Sequence, residues 1–274
     1  MRDGLAAIVS GTLFCSNIVP ARALSVAASH AAYKAPPSGA VPGAARPEVR
    51  RADCSLAPLT TIAGELVYAL EDQSALVYIS GMTVDADGAP NAYHPPPDTD
   101  LGLDDLANAG SEGNWWGLAT DADGEPIVQG PDDPAPGFYV STTSLFDPDL
   151  PITQRYVDAT RIPFYVLPPA GRTQLGVHLG DLGMVVNTDN RQRAGAIFAD
   201  VGPTDNLGEG SIALAAALGL PDDPRAGGAS GGIAWVVFPG SGTGRPLPPE
   251  TIAAGAEARF TDFGGMAQLD ACFP

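Results

Sequence analysis

Positive charge is scarce in this chain. Fourteen Lys and Arg stand against 32 Asp and Glu, a formal net charge of −18 over 274 residues. A surface of that sign repels phosphate backbones, which argues against nucleic acid as a partner. The same field draws in polycations and concentrates them in any acidic cleft. Histidine is limited to His30, His94 and His178, no two at ligand spacing, so no metal site is expected. The one Gly-x-Ser-x-Gly match, Gly228 to Gly232, runs into the apolar stretch 233–238 rather than a helix, so no nucleophile elbow is expected. Beyond the N-terminus no apolar run approaches the roughly 20 residues needed to cross a membrane.

The N-terminus reads as an export leader. Arg2 precedes an apolar stretch over 5–15, followed by Pro20, Ala21, Arg22 and Ala23, the small-x-small pattern of a signal-peptidase site. Cleavage is expected after Ala23, making the protein secreted. Removing residues 1–23 takes away Cys15 and leaves Cys54 and Cys272, an even pair in an oxidising compartment, expected to form one disulfide. Residues 24–53 are rich in Ala and Pro with no periodic apolar face, and read as a linker or pro-segment. Residues 54–274 suffice for one sizeable core, so a single domain is expected there.

Within that domain the apolar runs are short and punctuated by Gly, Pro and Asp. They fall at 66–70, 75–82, 114–119, 137–141, 164–167, 175–179, 183–187, 194–200 and 233–238. This density of short strands predicts a mainly β barrel or sandwich with few helices. One helix is expected over 211–218, stopped at Gly219, a weaker one over 248–258 and a short one over 104–109. Two Asp-Ala-Asp-Gly segments, at 85–88 and 121–124, lack the later ligands of a calcium loop and read as tight turns. The first, followed by Tyr93, His94 and Pro95, is harder to reduce to a turn.

Asp200 and Glu209 are the most informative pair. Asp200 ends the apolar run 194–200, and Glu209 stands at the entry to the run that predicts the helix. Two carboxylates aimed at one spot are the minimum equipment of a glycoside hydrolase. On a period of two, Asp200 shares a face with Phe198 and Ala196, where burial would favour its neutral form and an acid role. Glu209, near the free N–H groups of a helix start, would be favoured as a charged base. The plainer alternative remains open: a strand-end turn residue and a helix-start charge.

With these residues in view, the chain resembles the family 75 glycoside hydrolases, the fungal-type chitosanases and their bacterial relatives. The resemblance spans roughly residues 60–242. It rests on the segment 81–88 with Tyr93-His94-Pro95, on 162–168, on 195–203 followed by 208–215, and on 233–241. It implies that Asp200 and Glu209 are the catalytic pair, hydrolysing β-1,4-linked glucosamine polymer endo-fashion, with inversion and no cofactor. The loop 201–208 would then set the gap that an inverting enzyme needs for its water. Asp85 and Asp87 match an acidic pair of the family and are assigned to substrate binding, with Tyr93 and His94 lining the same groove. Of Trp115 and Trp116 only one can stack on a sugar, since neighbours on a strand face opposite ways. The insertion over 95–105 and the turn at Gly124 follow the bacterial relatives and reshape the groove.

The fold thus expected is a single-domain β-barrel, with the double-psi form a candidate. The protein is expected to act as a monomer on chitosan, outside any membrane once the leader is gone. Two alternatives stand beside this: a hydrolase of another wall polysaccharide, and a carbohydrate-binding protein without catalysis.

Overall fold

The computed structural model describes residues 53–274. The leader, its cleavage site, Cys15, His30 and the linker up to residue 52 lie outside the described residues. Ten strands are present: β1 Ala57–Ile62, β2 Glu65–Ala69, β3 Leu76–Asp85, β4 Gly110–Ser111, β5 Asn114–Trp115, β6 Phe164–Leu167, β7 Leu182–Asn187, β8 Arg193–Val201, β9 Glu209–Ser211 and β10 Ala229–Phe238. Four α-helices join them: α1 Pro169–Leu175, α2 Ile212–Ala217, α3 Pro249–Phe263 and α4 Gly265–Cys272. None is long and apolar enough to cross a membrane.

The strands run β1-β2-β3-β10-β7-β8-β6-β9, and β9 returns to pair with β3. This closes a six-stranded barrel, a mainly β fold as the spacing of short apolar runs predicts. Two pairings, β3–β9 and β6–β8, are parallel; the other four around the barrel are antiparallel.

Alternation along the strands builds two cores, one on each face. Phe164, Val166, Met184, Ile197 and Val236 pack with Ile252, Ala256 and Phe260 of α3. Tyr78, Tyr165, Phe198 and Trp235 pack with Leu214 and Leu218 on the other face. There Tyr78 stacks on Trp235 and Tyr165 on Phe198. Such buried aromatic pairs contribute beyond their area.

The longest apolar runs became strands because both faces are buried. The runs at 114–119 and 137–141 did so only in fragments, as β5 and as isolated bridges such as Leu118 to Ser141. The run at 175–179 is no strand: it begins at the end of α1, where Gly176 takes the left-handed cap. The short helix expected over 104–109 is a 3-10 turn over Leu106–Ala109.

Helix α2 starts at Ile212, capped by Ser211, whose hydroxyl accepts from the Leu214 N–H. Gly219 follows it with φ +67. Cys54 and Cys272 are joined, tying the end of α4 to the chain before β1 across 218 positions.

Candidate active site

The barrel closure sets four residues in one row across adjacent strands. Thr83 on β3 is the register partner of Glu209 on β9, Glu209 of Val166 on β6, and Val166 of Asp200 on β8. All four line one cavity of about 740 Å³.

Asp200 reaches that row through a slip in register. Phe198 pairs with Tyr165, but the next pair is Asp200 with Val166, so β8 carries one extra residue, Ala199. A bulge of this kind re-aims the side chain that follows it. Asp200 therefore leaves the face of Phe198 and Ala196, where strict alternation puts it, and joins the face of Val166. Two strand spacings separate its Cα from that of Glu209, about 10 Å.

Hydrogen bonds distinguish the two carboxylates. Asp200 Oδ1 accepts from the Ser144 N–H at 2.9 Å, the Ser144 hydroxyl at 2.6 Å and the Val201 N–H at 2.8 Å. Burial raises its proton affinity, and the Ser144 and Val201 donors pull the other way. Glu209 receives one long bond, from Asn206 Nδ2 to Oε2 at 3.4 Å. Burial first, then the charge of Asp200, push the Glu209 carboxyl up to about 7.

The reason for expecting a charged Glu209 is therefore absent. Glu209 lies on a strand two residues before the helix cap, and the helix-start N–H it was to meet is taken by Ser211.

Asp85 and Asp87 face the same cavity. The turn over 85–88 folds the Asp87 N–H onto Asp85 Oδ1 at 2.7 Å, with Gly88 at φ +78. Both carboxyls are raised, chiefly by burial and then by a neighbour's charge, that of Asp87 for Asp85 and of Asp200 for Asp87. Asp87 Oδ1 accepts from the Tyr93 hydroxyl at 2.8 Å and the Ser141 hydroxyl at 3.2 Å. Tyr93 is only 2% exposed, so it props Asp87 from behind while touching the cavity edge. The second Asp-Ala-Asp-Gly copy is a surface turn in which Asp121 Oδ1 accepts from the N–H groups of Asp123 and Glu125.

His94 does not join the site. It is absent from the cavity lining, and its ring packs edge-on against Phe138. The two tryptophans part, though Trp116 stands in a bend just past β5: Trp115 packs towards the core by Tyr139, and Trp116 lines the cavity. Sequence reasoning missed Ser144, Asn206 and Asp104. Ser144 and Asp200 are 56 positions apart and had no local signal. Asp104 was read as part of a helix; it is a buried carboxylate of the cavity wall.

No Lys, Arg or His lines the cavity, and among the described residues no ion pair reaches Asp85, Asp87, Asp200 or Glu209. No three of its acidic groups converge in a geometry that would hold a metal ion. No family model and no curated protein matches this chain.

Proposed function

We propose that the protein is an exported endo-acting chitosanase of the family 75 kind, cleaving β-1,4 glucosamine linkages with inversion. The observation that carries this reading is the shared row: Asp200 and Glu209 flank Val166 on the same side of the sheet and look into one cavity.

Their environments divide the roles. Glu209, holding its proton to about pH 7, is the general acid. Asp200, with three donors on Oδ1, keeps the charged form better and leaves Oδ2 for a water. In the step proposed, Glu209 gives its proton to the glycosidic oxygen as the bond to the anomeric carbon breaks. A water held by Asp200 attacks that carbon from the opposite face and passes its proton to Asp200. The sugar leaves with inverted configuration. Two strand spacings of about 10 Å between the Cα atoms leave room for the 6.5–9.5 Å carboxyl gap of inverting enzymes.

The cavity also suits the charge of the polymer. Chitosan carries ammonium groups in mild acid, and a cavity of acidic groups without a cation favours them, each ammonium drawing a neighbouring carboxyl towards its charged form through a charge-assisted hydrogen bond.

The decisive experiment incubates the protein, Asp200→Asn and Glu209→Gln with fully deacetylated chitosan. Reducing ends and chain length are followed, and the anomer formed is read by NMR. Rapid shortening by the parent, with both variants reduced by at least a thousandfold, is expected. A parent that leaves chitosan and other wall polysaccharides intact would overturn the reading in favour of binding alone.

A further inference from the structure

We propose that Trp116, Asn108 and Asp104 form a subsite for one protonated amino-sugar unit, selecting a free amine over an acetylated one. The polymer that fills it is taken from the function proposed above; the subsite's chemistry is argued from its own residues.

Trp116 is 62% exposed, its ring open to the cavity that it lines. It is nevertheless fixed. Its Nε1–H donates to the Asn108 carbonyl at 2.8 Å, so the polar edge of the indole is held by protein while the ring lines the cavity. A ring in that state is a ready platform for the C–H face of a pyranose, and it attracts a cation lying over its face.

The same asparagine links the platform to a charge. Asn108 Nδ2 donates to both carboxylate oxygens of Asp104, at 3.0 and 2.9 Å, and the Asp105 N–H donates to Oδ1 at 2.7 Å. Asp104 is 5% exposed and lines the cavity. A buried carboxylate normally has a countercharge, and the obvious candidate is otherwise engaged. Arg225 places Nε on the Asp105 carboxylate and its terminal nitrogen on the carbonyls of Gly102 and Asp104. Among the described residues no ion pair reaches the Asp104 carboxylate.

A glucosamine ammonium supplies the missing charge while its ring covers the indole. An N-acetylated unit brings a neutral, bulkier group to the same place and leaves the carboxylate without a counterion. The subsite shares its cavity with Asp200 and Glu209.

The test is equilibrium binding by calorimetry in mildly acidic, low-salt buffer. The probes are a glucosamine hexamer and its fully N-acetylated counterpart. Asp200→Asn serves as the background if the parent cleaves them. The glucosamine hexamer is expected to bind at least tenfold tighter, and Asp104→Asn to abolish most of that preference. Trp116→Ala should weaken the glucosamine hexamer at least tenfold and Trp116→Phe less, with near-UV circular dichroism and melting confirming that each variant folds.

Preference retained in Asp104→Asn, unchanged binding in Trp116→Ala, or no binding of either hexamer overturns the subsite. The two proposals fail separately. Discriminated binding without cleavage by the parent would sink the chitosanase and keep the subsite. Cleavage with an indifferent Asp104→Asn would do the reverse.

Discussion

Ser144 places both its backbone N–H and its hydroxyl on one oxygen of Asp200, at 2.9 and 2.6 Å. These donors, from a loop far away in sequence, favour the charged carboxylate against the burial that opposes it. They also leave the other oxygen free to face the cavity.

Ser144→Ala removes the shorter of the two bonds, so the Asp200 proton affinity rises. The acidic limb of the pH dependence of kcat/KM is expected to move to higher pH, while the alkaline limb stays in place. Ser144→Thr, which keeps the hydroxyl, should restore most of the parent profile. A uniform loss of rate at all pH values would mean that Ser144 has only a structural part.

In the proposed mechanism Glu209 carries the opposite limb. Its carboxyl goes from an ordinary 4.5 up to about 7 on folding. The folded state keeps a proton that the unfolded chain releases, so stability falls as pH rises through that window. Glu209→Gln cannot ionise. It should raise Tm at about pH 8, by a stabilisation of roughly 3 kcal/mol, and change it little at about pH 4. Melting curves at the two pH values check this; an equal change at both would refute it. In the parent, kcat/KM should decline above about pH 7 as this proton is lost.

Gly202 has no room for a side chain. A Cβ there would come within 2.8 Å of Glu209 Oε2 and 2.7 Å of Val166 Cγ1. Gly202→Ala is expected to displace Glu209, the proposed acid, and cut kcat on chitosan about 100-fold. The strain in packing costs about 1–3 kcal/mol of stability. Steady-state kinetics beside thermal melting separates the two, and an active Gly202→Ala would show that the acid tolerates movement.

The disulfide closes nearly the whole described chain, 218 positions, for which the chain-entropy model gives about 5 kcal/mol as an upper figure. A Cys54→Ser, Cys272→Ser double variant should melt on the order of 10 °C lower. It should retain its activity at room temperature, because the bond lies at the chain ends. Differential scanning calorimetry with and without reductant checks this; unchanged melting would show that the ends are held by other contacts, such as Gln268 Nε2 donating to Ser55 Oγ at 2.7 Å.

Much of the barrel was legible because its strands obey local rules. Strands β3, β6, β7, β8 and β10 stand where the apolar runs are, and α2 begins after Ser211, a residue whose hydroxyl suits the cap. β9 was not legible, since three residues containing two polar ones carry no periodic signal; it exists because β3 and β6 are there to flank it. The second Asp-Ala-Asp-Gly turn was read correctly from its own letters. The first has the same letters, and only Tyr93 and Ser141, brought in from elsewhere, turn its Asp87 into part of a cavity.

The amino-acid sequence by itself determined the class of fold, the pairing of two cysteines and which segment carries the informative carboxylates. Alternation, turn residues and composition act over a few neighbours and survive without the fold. Tertiary structure alone decided which face Asp200 takes, that His94 stays out while Asp104 comes in, and which of the two carboxyls receives the hydrogen bonds. A one-residue bulge against β6 decides the first. The others turn on burial, nearby charge and hydrogen-bond donors, and those are set by residues that only closure of the barrel brings together.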